Sequence, residues 1–256
     1  MLERAREIVD IVSKETDSII LFHSLSGKDS IVLLDIIYPK FRRVVCVYMY
    51  LVPNLEHMNV YYRYAKARYP NVEFIQIPHY GFYSYVKVGY MGIKKNDRQK
   101  LWTLAELTEV IRKRTGIEWA AYGFKQSDSL NRRLMLRSYK DGKEAISWKT
   151  KKVYPLSTYK NSDVLAYIRN EGLKEPETYG GIAQSCGCAI DSYEYQSYLR
   201  EHYPGDLEKI YGVFPQARIV LLDNRYKDET VKSKRNSGGE AESNPAEPLQ
   251  SEETLG

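Results

Sequence analysis

An α/β protein built on a doubly wound, mainly parallel sheet of about five strands is what the sequence predicts, and three observations predict it. Short apolar runs at 18–22, 44–51, 72–77 and 118–123 alternate with longer stretches in which apolar residues recur at helical spacing. The first run passes through small polar residues around Gly27 straight into a helical pattern, the order strand, tight loop, helix. The chain has 256 residues, 43% hydrophobic and 28% charged, enough to bury a large core.

Residues 1–16 form an amphipathic helix with Leu2, Ala5, Ile8, Val9, Ile11 and Val12 as its apolar stripe. After the first strand, backbone N–H groups opening the helix at Lys28 lack partners within it, and the helix dipole adds positive charge, so an anion is favoured there. Ser24, Ser26 and Ser30 supply hydroxyls, Gly27 lets the backbone come close, and Lys28 brings a point charge. The spacing is neither the Walker pattern nor the dinucleotide fingerprint. Pro39 with Lys40, Arg42 and Arg43 marks a turn before the second strand. Residues 52–57 follow that strand at the carboxyl edge, where doubly wound sheets bind ligands. Here His57 reads as a solvated or packing histidine. A helix at 58–69 and a strand at 72–77 precede Pro78.

Residues 79–96 are aromatic, glycine-bearing and basic. They read as a cover over a ligand, with base stacking on Tyr83, Tyr85 or Tyr90, or as packing, which is favoured in a chain of 23 tyrosines. A helix from about Arg98 to Thr115 ends at Gly116, and a buried strand at 118–123 turns into a basic stretch at 124–133. Ser162 or Asn161 caps a later helix whose buried face is Val164, Leu165 and Ile168. Residues 191–203 form the last helix, and 219–222 a short apolar segment. From Lys227 the composition cannot bury enough surface to fold, giving one domain at 1–226 and a disordered acidic tail at 227–256.

Ser26-Gly27-Lys28-Asp29-Ser30 resembles the pyrophosphate-binding loop of the PP-loop ATP pyrophosphatases, usually Ser-Gly-Gly-x-Asp-Ser, with Ser26 at the first Gly and Leu25 at the first Ser. Within that superfamily the chain most resembles the branch of 3'-phosphoadenylyl sulfate reductases and sulfate adenylyltransferase small subunits. Gly123, Lys125, Ser127, Asp128, Arg132 and Arg133 match that branch's Gly-x-Arg/Lys stretch and following Arg. Pro155-Leu156, Tyr159, Asp163-Val164 and Tyr167-Ile168 match a second segment assigned to fold, and the resemblance spans about 18–190. It implies an adenine nucleotide alpha hydrolase-like sheet with a partly helical extension at 145–226. It also implies ATP or an adenylyl sulfate nucleotide with Mg²⁺, held by Ser24, Ser26, Gly27, Lys28, Asp29, Ser30, Glu56, Gly123 and Arg133. Lys28, Lys125 and Arg132 carry the catalysis, with Lys125 and Arg132 on the transferring end, and Glu56 holds ribose or Mg²⁺. No protein metal centre is assigned.

Cys186 and Cys188 fall near the branch's Gly-Cys-x-x-Cys segment, one residue closer together. A redox pair, half of an intersubunit metal site and two small buried residues all stay open. No Glu-Cys-Gly-x-His motif occurs, and three cysteines are too few for a four-cysteine cluster within one chain. The resemblance thus implies attack on the α-phosphate of ATP with pyrophosphate release. A sulfonucleotide reductase and a non-catalytic nucleotide or nucleic-acid binder stand as alternatives.

Net charge is +5 overall, +8 over residues 1–226 and −3 beyond, which suits a polyanionic ligand, nucleotide or nucleic acid. The acceptor, sulfur-containing or nucleic acid, is not legible, and neither is the oligomeric state. No apolar run approaches membrane-spanning length, no signal-peptide stretch opens the chain, and three cysteines make no disulfide framework. A cytoplasmic protein is expected.

Overall fold

The computed structural model describes residues 1–178 and 189–222. Its elements in chain order are α1 (Glu3–Ser13), β1 (Ser18–Phe22), α2 (Lys28–Ile37), β2 (Arg43–Tyr50), α3 (Glu56–Arg68), β3 (Glu73–Pro78), α4 (Tyr80–Val88) and α5 (Leu104–Thr115). There follow β4 (Ala120–Ala121), α6 (Leu130–Arg137), β5 (Ile146–Ser147), β6 (Lys152–Val153), α7 (Asn161–Asn170), α8 (Tyr193–His202) and α9 (Pro204–Val213). Cys186, Cys188 and the segment 227–256 lie outside the described residues. None of the described helices is long and apolar enough to cross a membrane.

Six strands lie in the order β3-β2-β1-β4-β6-β5, where the sequence predicts about five. All neighbours are parallel except β5, which returns antiparallel to β6, so the sixth strand is one arm of a two-residue hairpin. Because β1 pairs with β2 on one side (Ile20 beside Val45) and with β4 on the other (Ile20 beside Ala120), the strand order reverses beside β1. In open α/β sheets the crevice outside the carboxyl ends at such a point is where ligands sit.

Both sheet faces are covered. The larger core packs α1, α2, α3, α7, α8 and α9 on one face, and Ile111 of α5 and Leu136 of α6 cover Phe22, Val45 and Val47 on the other. The Asp35 carboxylate accepts hydrogen bonds from Tyr69 Oη and Tyr167 Oη, each at 2.7 Å, tying α2 to α3 and α7. Tyr167 of the second matching segment is thus a tie for the loop-bearing helix.

Helix boundaries follow caps that the periodicity alone misplaces. α5 begins at Leu104, six residues after Arg98, because the Thr103 hydroxyl accepts the Glu106 N–H (3.2 Å) while the Glu106 carboxylate accepts the Thr103 N–H (2.9 Å). It ends at Gly116, φ 71°, as predicted. The N-cap of α7 is Lys160, whose N–H is taken by Asp163 at 2.8 Å, so neither Asn161 nor Ser162 caps it. Tyr167 takes the buried place expected of Leu165. Residues 80–88 of the supposed cover are the helix α4, with Gly89 at φ 74° closing it. The helix at 193–202 is not the last, because Pro204 opens α9 at a first-turn position, where its missing N–H costs nothing.

Candidate nucleotide site

The loop between β1 and α2 is shaped by three local hydrogen bonds. Leu25 sits at φ 53°, unfavourable for a side chain, and is held there by burial and by donating its N–H to His23 Nδ1 at 3.0 Å. Ser30 folds back, its Oγ 3.0 Å from both the Ser24 N and the Ser24 Oγ. Gly27 is the N-cap of α2 at φ −72°, ψ 125°, and no side chain caps that helix, so its first-turn N–H groups are left for an anion. His23 itself is buried. Burial depresses its pKa to about 3, which keeps the ring neutral.

Beside this loop, at the reversal point, lies a cavity of about 490 Å³. Ser24, Lys28, Asp29, Ser30, Asp128 and Arg132 form its polar side; Phe22, Val47, Met49, Leu104, Tyr122 and Phe124 form its apolar side. His23, His79, Gly123, Ser127 and Asn161 complete the wall. Tyr122 stacks on Phe22 at 4.9 Å between ring centroids, giving the apolar side a rigid base.

Charges on the polar side are linked through one buried cation. Lys125 is 1% exposed, and its Nζ lies 2.7 Å from Asp29 Oδ1 and 3.2 Å from Asp128 Oδ1. Burial works against the ionised Asp128, yet the Lys125 N–H, the Lys125 ammonium and Arg132 hold its carboxyl below the usual range. Arg132 meets Asp128 at 2.7 Å, and its guanidinium carbon lies 4.0 Å from the Phe124 ring centroid. Lys28 contacts Asp29 at 3.3 Å and stays partly exposed to the cavity. Gly123 is required for this closeness: a Cβ there would fall 2.9 Å from Asp29 Cβ.

Of the residues that the sequence assigns to the site, Ser24, Lys28, Asp29, Ser30, Gly123 and Arg132 line this one cavity. Gly27 stands at the start of α2 and works through its backbone. Four other residues lie elsewhere. Ser26 is fully buried, with its Oγ 3.6 Å from Met58 Sδ, because the left-handed step at Leu25 precedes it and the chain turns inward. Glu56 is exposed and paired with Arg63 at 2.5 Å, Arg133 donates to the Gln126 carbonyl at 3.2 Å, and Lys125 lies behind the two carboxylates. His57 is a packing residue and not a solvated one, with Nδ1 2.7 Å from Asp206 and Nε2 3.0 Å from Tyr195 Oη. Met49 and His79 were missed by motif reading. Their position at the carboxyl ends of β2 and β3 was the available signal.

The uncapped start of α2 beside a cavity at the reversal point of a doubly wound sheet is the arrangement expected of a PP-loop protein of the adenine nucleotide alpha hydrolase type. Residues 20–194 match the family described as the phosphoadenosine phosphosulfate reductase domain, and the chain belongs to that family. No curated protein matches the chain. Similar solved structures include a phosphoadenylyl-sulfate reductase from Candida auris, 15% identical with TM-score 0.45, covering 68% of this chain and 82% of that one. A U34-tRNA thiolase from Methanococcus maripaludis is 14% identical with TM-score 0.46, covering 86% and 78%. An NH3-dependent NAD synthetase from Campylobacter jejuni is 13% identical with TM-score 0.39, covering 86% and 96%.

Proposed function

We propose that the chain binds ATP in this cavity and transfers its adenylyl group to an acceptor, releasing pyrophosphate. The observation that carries the reading is the uncapped first turn of α2 with Lys28 on it, in a cavity whose lining also includes apolar and aromatic residues. Phosphates suit the first and adenine the second. The acceptor's lone pair forms a bond to the α-phosphorus as the bond from that phosphorus to the bridging oxygen breaks. Pyrophosphate leaves with that electron pair, and a proton on the attacking atom passes to solvent. Lys28 and the α2 amides stabilise the leaving group, and Arg132 faces the charge developing at the α-phosphate.

Among the described residues no three histidine, cysteine or acidic side chains group to hold a metal. Mg²⁺ binds through one or two carboxylates plus substrate phosphates, and Asp29, in the cavity wall beside Ser30, fits that donor set. Bound there, the ion would neutralise phosphate charge. Glu56 does not fit, because its carboxylate lies away from the cavity with Arg63.

The test is calorimetry with ATP together with pyrophosphate release. Lys28→Ala should weaken ATP binding about tenfold or more, since a charge-assisted contact contributes ~1.5–3 kcal/mol. Unchanged affinity would reduce the loop to a helix start with no ligand.

The family's name favours a second reading, thiol-dependent reduction of an adenylyl sulfate. That route needs an available thiolate. Cys46 is fully buried on β2, and burial pushes its thiol pKa up, so this route would fall to Cys186 or Cys188. Sulfite released from 3'-phosphoadenylyl sulfate with thioredoxin, and abolished in Cys186→Ser/Cys188→Ser, would establish the reductase. Pyrophosphate release retained in that double variant would support adenylyl transfer.

A further inference from the structure

Residues 79–103 carry rings and cations that the nucleotide site leaves unused, and the fold divides them into two groups. Tyr85 and Tyr90 stack at 4.5 Å, and Tyr85 meets Phe214 edge-on at 6.1 Å, so these rings belong to the core. Tyr80 and Trp102 instead neighbour in sequence the cavity residues His79 and Leu104. Tyr80 is 41% exposed and its ring centroid is 4.1 Å from that of His79, which lines the cavity. Trp102 is 6.2 Å from Tyr83, sits two residues before the cavity residue Leu104, and carries the Lys100 ammonium 3.8 Å from its ring centroid. Leu101 beside it is 49% exposed.

Charge on the same segment is one-sided. Lys94, Lys95, Arg98 and Lys100 are exposed against the single carboxylate Asp97. Asp97 pairs with Lys95, and Lys100 pairs with Glu106. Lys94 and Arg98 have no carboxylate within 4.0 Å among the described residues. His79 adds a polar reader at the inner end. Its Nδ1 accepts the Gly81 N–H at 3.0 Å, so the neutral ring carries its proton on Nε2 and acts as a donor.

We propose that this aromatic, basic rim binds the acceptor, and that the acceptor is a single-stranded polynucleotide whose bases stack on Tyr80 and Trp102. The proposal rests on the adenylyl transfer proposed above. Every base presents a π-face, so ring platforms interleaved with cations hold a strand without demanding one sequence, while an acidic peptide would leave the rings unused. A strand lying along residues 94–102 brings its bases past Tyr80 and His79 to the cavity.

The experiment is fluorescence anisotropy of a short labelled oligouridylate with the full chain, run beside ATP calorimetry on the same samples. The parent should bind the strand, Tyr80→Ala and Trp102→Ala should each weaken it about tenfold, and Arg98→Glu should reduce the dependence of affinity on salt. All three variants change residues outside the cavity wall and should keep the parent's heat of ATP binding. No binding at low salt, or equal affinity in the parent and ring variants, overturns the proposal and leaves the ATP reading intact. ATP competing with the strand, with both ring variants losing ATP affinity, also overturns it, because the rings would then belong to the adenine slot. Absence of ATP binding with strand binding intact overturns the adenylyl-transfer reading instead, and with it the strand's role as acceptor.

Discussion

Lys125 Nζ lies 2.7 Å from Asp29 Oδ1, so a buried ammonium joins the first turn of α2 to the turn that follows β4. The sequence alone assigns Lys125 to the transferring phosphate. The geometry puts it behind Asp29 and Asp128, which themselves face the cavity, and makes it a positioning residue. A cation so placed sets where both carboxylates point.

Replacing Lys125 by Met should therefore destabilise the protein before it affects ligand contacts. Breaking a fully buried pair costs about 3–5 kcal/mol, and the partial exposure of both carboxylates reduces the expected loss to about 2–3 kcal/mol. Urea unfolding reads it, with Lys125→Arg as the charge-retaining control. A variant of unchanged stability with collapsed ATP affinity would return Lys125 to the phosphates.

Gly123→Ala tests the same junction through sterics. The new methyl would meet Asp29 Cβ at 2.9 Å, so the start of α2 must move away from β4. Overpacking of this kind costs about 1–3 kcal/mol, and the displaced amides should weaken ATP binding by about tenfold or more. An alanine variant with parental calorimetry would mean that the site tolerates the shift.

The turn from β1 into α2 is legible in sequence because an apolar strand, a glycine cap and a polar first turn lie within twenty residues, and local chemistry decides each. Lys125 and Ser26 are misread for the opposite reason. Whether a lysine or serine faces a cavity or the core depends on neighbours distant in sequence, here Asp29 for one and Met58 for the other. The helix at 80–88 is hidden by its tyrosines and by Gly81, poor helix formers held by the His79 cap and by packing on Phe214. Two-residue strands such as β5 and β6 carry too little pattern to be seen at all. The family motifs bridge part of that gap, marking Gly123 and Arg132 without locating the rings and histidines that share their cavity.

His23 gives the protein a pH-dependent loop. Its pKa is about 3 when folded and about 6.5 when unfolded, so below pH 6.5 the unfolded chain binds a proton that the native state does not. The stabilisation is fully present above pH 6.5 and falls by about 1.4 kcal/mol per unit as pH drops toward 3. Asp206 acts in the same direction only below its unfolded value of 3.8. Burial raises its pKa, but hydrogen bonds from His57 and from the Glu56 and His57 N–H groups outweigh this and hold it at about 2. Burial also lowers the His79 pKa, so unfolding measured over roughly pH 4.5–6.5 reads both histidines with the same sign, and the difference between the parent and a His23 variant gives the share of His23. His23→Asn keeps an acceptor for the Leu25 N–H and should flatten the slope; a slope equal to the parent's would assign the effect to other groups.

If the proposed adenylyl transfer holds, Arg132 is the cavity side chain best placed to act in its transition state. Its guanidinium is held by Asp128 at 2.7 Å and by the Phe124 ring, so it is pre-oriented, yet its side chain remains 41% exposed toward a ligand. A planar cation fixed by two protein partners cannot follow a ground-state phosphate freely, so under the proposed adenylyl transfer its value would lie in meeting charge that develops as the α-phosphorus is attacked. Arg132→Gln keeps the size and removes the charge. Turnover should fall about a hundredfold while ATP affinity changes by less than about threefold, measured by pyrophosphate release and calorimetry respectively. Asp128→Asn should reproduce part of the turnover loss by releasing the guanidinium from its position. Equal losses in affinity and turnover for Arg132→Gln would make it a binding residue, and no loss in either would remove it from the site.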